Sequence, residues 1–305
     1  MIKRTLYFGN PAYLSSKTEQ LIIKQEKEGE EKITTIPIED IGVMILDHPQ
    51  ITITQVAIAK LVDNNVALIT CDASHHPTGL LLNLSGHTLQ GARFKAQIEA
   101  SEPLKKNLWQ QTIKAKISNQ AALLHSHGKE VRNMRFWASK VQSGDAENHE
   151  SRAAVQYWKK LFPKELMFTR DRSGEPPNNL LNYGYAILRA ATARALVGSG
   201  LLPTLGIFHR NQYNAYALAD DIMEPYRPFV DKVVLDIIEN GEALDNLNTS
   251  LKKQLLQVLT LDVIIEGQRS PLMVGIQRST ASLAKCFLGE QRKINYPELQ
   301  LPDAV

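Results

Sequence analysis

Apolar positions in the first 85 residues fall in short runs between polar clusters, the pattern of strands rather than helices. Leu6-Tyr7-Phe8 and Gln20-Leu21-Ile22-Ile23-Lys24 are two such runs, and Ile33-Thr34-Thr35-Ile36-Pro37-Ile38 is rich in β-branched residues. Gly42-Val43-Met44-Ile45-Leu46 and Val66-Ala67-Leu68-Ile69-Thr70 read as buried strands. Between them, residues 55–62 have helical spacing, with Thr54 placed to cap them. The charged stretch 26–32 reads as a hairpin tip or a loop. Ser85-Gly86-His87-Thr88 marks a boundary, and beyond it the character changes to helix. Leu108-Trp109-Gln110-Gln111-Thr112-Ile113 and Ala121-Ala122-Leu123-Leu124 predict helices on either side of Ser118-Asn119. Ser143-Gly144-Asp145 is a break before a helix to about Phe162, and 164–177 is a mainly polar loop. A long helix over 180–197 ends at Gly198 and Gly200. Further helices are expected over 215–224, from Pro228 onward, and from Ser279 to about Gln291.

This order predicts an α+β chain, with a small strand-rich domain over 1–85 and a larger, all-helical domain over 86–305. A length of 305 residues suits two domains, and 43% hydrophobic content is enough for a substantial core. The net charge of +3 neither requires nor excludes nucleic acid, because a basic groove can coexist with acidic patches. Cys71 and Cys286 form no zinc or redox spacing, so a reduced, cytoplasmic protein is the plain expectation. No signal peptide and no membrane-spanning run are seen.

The candidate chemistry centres on acids and one imidazole. Glu150 lies near the start of its helix, in line with Ala153, Ala154, Tyr157, Trp158 and Leu161, the apolar face. An inward carboxylate needs a partner, and either a metal or an arginine meets that need. His209 follows Gly206-Ile207-Phe208 in a loop, a short way upstream of Asp221 and Glu224. Asp221 and Glu224 are three apart on one helix face, while Asp220 and Glu224, four apart, are a competing pair. Pro225 disfavours helical geometry at Glu224 and predicts a kink or restart. The structural alternative is an acidic helix end with Arg227 as its ion-pair partner. Two carboxylates and an imidazole can hold a divalent metal with open positions, Mg²⁺ or Mn²⁺, the histidine tilting the balance toward Mn²⁺. An open metal site beside nucleic acid suggests phosphodiester chemistry.

His149 points about 100° away from Glu150 on an ideal helix and reads as exposed or DNA-facing. His75-His76 and His125-Ser126-His127 read as surface histidines, and Tyr183 and Tyr185 as core. Arg152, Lys159, Lys160, Arg170, Arg172, Arg189, Arg194 and Arg210 form a candidate DNA track.

Three local settings carry a family resemblance. They are Asp145-Ala146-Glu147-Asn148-His149-Glu150-Ser151-Arg152-Ala153-Ala154-Val155-Gln156-Tyr157-Trp158, then Gly206-Ile207-Phe208-His209, then Leu218-Ala219-Asp220-Asp221-Ile222-Met223-Glu224-Pro225-Tyr226-Arg227-Pro228. In that order, supported by Asn178-Asn179-Leu180-Leu181-Asn182-Tyr183-Gly184-Tyr185-Ala186-Ile187-Leu188-Arg189 and Leu196-Val197-Gly198-Ser199-Gly200-Leu201, the chain resembles the CRISPR-associated adaptation integrases (the first numbered Cas family), nearest their type II branch. The match runs from about Asp145 to Asp231, and the opening Arg4-Thr5-Leu6-Tyr7-Phe8-Gly9-Asn10 fits as well. The resemblance implies Glu150, His209 and Glu224 as ligands of Mg²⁺ or Mn²⁺, with Asp221 as a supporting acid of the catalytic set. It implies a DNA integrase with endonuclease activity, in which a spacer precursor's 3′-hydroxyl attacks a phosphodiester at the leader–repeat junction. The implied partners are double-stranded DNA, a second copy paired through the strand-rich domain as a homodimer, and a small ferredoxin-like adaptation partner completing a heterohexamer. A DNA-end-binding accessory protein and an RNA-guided effector nuclease can join. A stand-alone metal-dependent nuclease on branched or single-stranded DNA would use the same residues. A non-catalytic scaffold would have no need of all three ligands.

Overall fold

In the computed structural model, which describes residues 3–27 and 29–300, the chain divides into two units, Met1–Thr88 and Leu89–Val305. The first contains β1 (Arg4–Phe8), β2 (Ala12–Lys17), β3 (Gln20–Lys27), β4 (Glu30–Pro37), β5 (Ile41–Leu46), β6 (Ile51–Ile53), α1 (Gln55–Asp63), β7 (Ala67–Cys71) and β8 (Pro77–Leu81). One sheet has the order β1-β5-β7-β8, parallel except for β8 at its edge. The other has the order β4-β3-β2-β6, antiparallel except between β2 and β6. β5 lies between two parallel neighbours and is buried on both faces, which explains its unbroken apolar run. Leu14, Leu21, Ile38, Ile41, Met44 and Leu61 share one core between the sheets and α1. The expected cap on α1 forms: Thr54 Oγ1 accepts a hydrogen bond from the Ala57 N–H at 3.3 Å.

Hydrophobic pattern alone does not reveal β2, β6 or β8. Ser15-Ser16 dilutes β2, whose place is set by pairing with β3 on one side and β6 on the other. Only a few residues of β6 and β8 face a neighbour, and β8 carries Pro77 and Gly79. The charged stretch 26–32 is a hairpin tip, with β3 and β4 continuing into it and Lys24 paired to Glu31 at 2.9 Å.

The second unit contains α2 (Gln90–Ile98), α3 (Glu102–Ser126), α4 (Arg132–Lys140), α5 (His149–Leu161), α6 (Asn178–Gly198), α7 (Ala217–Met223), α8 (Arg227–Glu239), α9 (Thr249–Leu256), β9 (Asp262–Ile265), β10 (Gln268–Pro271) and α10 (Leu272–Phe287). It is helical except for the β9–β10 hairpin, an addition to the all-helical domain expected from sequence. That hairpin turns through Glu266-Gly267, both at positive φ, and its strands are too short to print a period on the sequence. α10 begins at Leu272, earlier than expected, because its first turns bury Leu272, Met273, Gly275 and Ile276.

α3 is a single helix through Ser118-Asn119, where sequence suggested two. An asparagine weakens a helix when its amide competes for the local backbone. Here the Asn119 amide is buried and bonds elsewhere: Nδ2 donates to the carbonyls of Pro225 at 2.8 Å and Pro297 at 3.0 Å. Its Oδ1 accepts from the Leu299 N–H at 3.0 Å. α6 is buried around most of its circumference, with Tyr183 and Tyr185 in the core as expected. At Pro225 the path tightens instead of breaking: α7 passes into a 3₁₀ turn, Glu224–Tyr226, from which α8 restarts, and Glu224 keeps helical angles. Among the described residues no helix is long and apolar enough to cross a membrane.

Asn119→Leu removes these hydrogen bonds while nearly keeping volume, and it strands two carbonyls and an N–H. At about 1 kcal/mol per bond, the expected loss is about 3 kcal/mol by denaturant titration. An unchanged midpoint would show that Asn119 does not tie α3 to the Pro225 turn.

Candidate active site

Glu150 is aimed by an unusual helix start. Asp145 (φ 51°) and Asn148 (φ 54°) are both left-handed, which folds the Asp145 carboxylate back over the N-terminus of α5. It accepts from the backbone N–H of His149 at 3.0 Å and of Glu150 at 2.9 Å, capping two otherwise unpaired donors. From that position Glu150 Oε1 lies 2.6 Å from Lys116 Nζ on α3. Glu224, buried at the start of the 3₁₀ turn, places Oε2 2.6 Å from the same ammonium and Oε1 2.9 Å from Arg227 Nε. The contact to Oε2 lacks hydrogen-bond geometry, so that oxygen is neutralised by the ammonium without a directed bond. Burial pushes the Glu224 carboxyl up, but the charges of Arg227 and Lys116 outweigh it and hold the group below the usual carboxylate range. Arg227 is fixed in turn, its guanidinium 4.6 Å from the Tyr185 ring centroid. Behind it, the Tyr157 and Tyr185 hydroxyls both donate to Asp231, a carboxyl that burial pushes up to about 6.

His209 is held from the other side. The Asp221 carboxylate is completely buried and gathers the loop after α6, accepting from the N–H groups of Ile207 at 2.7 Å, Phe208 at 2.9 Å and His209 at 3.3 Å. It also bonds His209 Nδ1. Gly206 permits this wrap, because a Cβ there would lie 2.9 Å from Asp221 Oδ2 and 2.5 Å from the His209 carbonyl. Trp109 of α3 stacks flat on Phe208, centroids 4.2 Å apart, and meets the His209 ring edge-on at 5.7 Å. With Nδ1 engaged, Nε2 is the nitrogen left to act as a ligand, the arrangement by which carboxylates orient metal-binding histidines. The bond to Asp221 raises the His209 pKa, burial opposes, and the negative charges of Asp221, Glu224 and Glu150 add to the rise. Imidazole and both glutamates therefore share one electrostatic neighbourhood. Burial pushes the Asp221 carboxyl up in turn, against the pull of its bonds to the ring and loop.

Asp220 lies outside this group, paired to Arg189 at 2.6 and 3.1 Å and to Asn214 at 2.8 Å. Among the described residues no three His, Cys, Asp or Glu side chains are clustered as a metal cage, since Glu150 and Glu224 converge on an ammonium. The donors nonetheless fit a hard divalent cation in kind: two carboxylates, one imidazole nitrogen, and a buried Glu224 oxygen with no directed hydrogen bond.

Two sequence expectations change. His149 is buried, not exposed, with Glu147 Oε2 3.2 Å from its Nε2. Both residues lie in α5, so their angular separation stands; what it misses is that the first turn of α5, held under the Asp145 cap, is packed on the His149 side as well. Arg194 is also buried, so it leaves the candidate DNA track. Arg170, Arg189 and Arg210 are engaged by Asn178 and Asn182, Asp220, and Glu102 respectively. Lys116 and the Asp145 cap escaped the sequence reading. No sequence signal marked Lys116: of its neighbours at helical spacing, Thr112, Ile113, Asn119 and Gln120, only Ile113 is apolar, although the structure buries all four.

The chain matches the family model for CRISPR associated protein Cas1 over residues 6–261. It is 36% identical over 305 residues to a CRISPR-associated endonuclease Cas1 of Neisseria meningitidis serogroup C (strain 8013), covering 99% of this chain and 97% of that relative. Its fold is similar to that of a casposase bound to integration product, with a TM-score of 0.79 and 24% identity over 96% of this chain and 92% of that one. A chain of a Cas6-RT-Cas1–Cas2 complex is similar over 96% of this chain and 36% of its own length, with a TM-score of 0.72 and 20% identity.

The Asp221–His209 pair generates a pH prediction. His209 is raised in the folded state, so the pair's stabilisation is complete below about pH 6.5 and declines as pH rises through the folded value. NMR titration of the ring is expected to place His209 above about 6.5 in the native protein and lower in Asp221→Asn. Identical titration of the two proteins would refute the pairing.

Proposed function

This chain belongs to the Cas1 family of CRISPR-associated proteins, and on that premise we propose that it is a metal-dependent DNA integrase of CRISPR adaptation with endonuclease activity. The observation that carries the reading is the convergence of Glu150 and Glu224 on one cation position, within electrostatic reach of an imidazole oriented by Asp221. Glu150, Glu224 and His209 Nε2 would hold Mg²⁺ or Mn²⁺. Bound there, the ion would supply the charge that favours an ionised attacking hydroxyl, a polarised scissile phosphate and a departing oxygen. Asp221 holds the His209 ring in the tautomer that keeps Nε2 free, and Trp109 with Phe208 limits its rotation. Arg227 holds Glu224 charged. With a spacer 3′-hydroxyl as nucleophile the product is a joined strand at the leader–repeat. With water in its place the product is a cut strand, which makes endonuclease activity a property of the same site.

We further propose double-stranded DNA as substrate and a Cas2-like, small ferredoxin-like protein as partner. The first is supported by the fold's likeness to a casposase bound to integration product, the second by its likeness to a chain in a Cas1–Cas2 complex. Pairing of two copies through the strand-rich unit, and a heterohexamer around the small partner, complete the proposal. Its place of action is the cytoplasm.

The test is strand transfer of a labelled DNA fragment into a supercoiled leader–repeat plasmid, with Mg²⁺ or Mn²⁺ and the small partner present. Wild type is expected to join label to plasmid. Asp221→Asn should lose about 10–100-fold, the usual cost of removing a ligand's supporting carboxylate, and His209→Ala or Glu224→Gln more. Cutting without joining, lost in the same variants, would instead favour a stand-alone nuclease. Variants as active as wild type would overturn the site.

A further inference from the structure

The place where two candidate ligands meet already holds a positive charge. Lys116 Nζ lies 2.6 Å from Glu150 Oε1 and 2.6 Å from Glu224 Oε2, its side chain only 12% exposed. Arg227 takes the remaining oxygen of Glu224 at 2.9 Å. Two carboxylates, one ammonium and one guanidinium sum to zero. We infer that Lys116 is an internal counterion that competes with the divalent cation for Glu150 and Glu224, and that it couples metal uptake to the arrival of a DNA phosphate. The inference rests on the metal-dependent reading above.

A cluster whose four charges already cancel gains little from admitting a doubly charged ion, because the ion must displace an ammonium already at contact distance from both acids. A phosphate changes that balance twice over: it adds negative charge beside the cation, and it offers the displaced ammonium a new partner. Metal and phosphate then favour each other's binding, which is a coupling free energy in the ordinary sense. Lys116 is the member able to move. Its ammonium ends a flexible four-carbon stem with rotatable donors, whereas the planar guanidinium of Arg227 is locked over the Tyr185 ring. It also comes from α3, while Glu150 starts α5 and Glu224 precedes α8, so its stem can swing without shifting either acid. Glu224 Oε2, 2.6 Å from the ammonium, is the oxygen freed for a metal when that stem swings away, since Arg227 holds the other.

A purely structural role makes the opposite forecast. If Lys116 only braced α3 against the two acids, removing it would loosen them and weaken metal binding. If it competes, removing it strengthens metal binding and reduces the dependence on DNA to the direct attraction between metal and phosphate. Free Mn²⁺ measured by electron paramagnetic resonance, with and without a branched DNA duplex, separates the two. For wild type, DNA is expected to tighten Mn²⁺ binding about tenfold or more, within the usual range of coupling between sites. Lys116→Gln and Lys116→Met are expected to bind Mn²⁺ about tenfold more tightly than wild type without DNA, and to gain less from DNA than wild type does. Their strand transfer falls, because the phosphate has lost its ammonium. Lys116→Arg keeps the charge and should keep the coupling, and thermal melting checks that each variant folds. Variants binding Mn²⁺ no better than wild type overturn the inference. So does a wild type whose Mn²⁺ affinity ignores DNA, a result that needs no variant and leaves the integrase reading standing. A wild type that binds no Mn²⁺ in either state overturns the metal reading, and the inference with it.

Discussion

The contact that sets α3, α5 and the turn before α8 in register at the site is the ammonium of Lys116 between the carboxylates of Glu150 and Glu224. A buried charge left without a partner costs several kcal/mol, more than a satisfied pair returns over an apolar substitute. None of the three groups can therefore be buried alone, and α3, α5 and the turn before α8 must dock together or leave charges stranded. The contact stores little net stability. Its effect is to reject arrangements in which the acids do not face each other.

α3 organises the rest of the site from one side. Trp109 supplies the wall behind His209, Lys116 the charge between the acids, and Asn119 the bonds that hold the Pro225 turn in register. These positions are seven and three apart, whole numbers of turns to within a fraction of a residue, so they share one helix face. The facing groups come from separate loops and helix starts, each secured by its own carboxylate: Asp145 caps α5 and Asp221 gathers the His209 loop. Acids thus appear in two capacities, two directed at the centre and two spent on fixing backbone.

Much of this was legible in the chain. β5 and β7 showed as apolar runs, Thr54 as a cap, and Pro225 as a point where the helical path must change. Spacing left Asp220 and Asp221 as competing partner acids, the family resemblance pointed to Asp221, and in the structure the two separate, one to His209 and one to Arg189. Much of what stayed hidden depends on residues distant in sequence, and the rest on where a short element starts. β2 is a strand because β3 and β6 flank it, and Asn119 is tolerated inside a helix because carbonyls 106 and 178 positions away accept its protons. His149 is buried because α5 starts where it does.

Local pattern along the chain was enough to set which elements form where that pattern is strong, and the change from strands to helices near Thr88. Local preferences act through neighbours a few positions away, and a sequence displays those directly. Only the tertiary structure decided that Lys116 stands between Glu150 and Glu224, that Asp221 rather than solvent holds His209 Nδ1, and that the arginines beside the motifs are partly spent on internal partners. Charge pairing acts through space over a few ångströms, and which charges come that close is settled when helices far apart in the chain pack together.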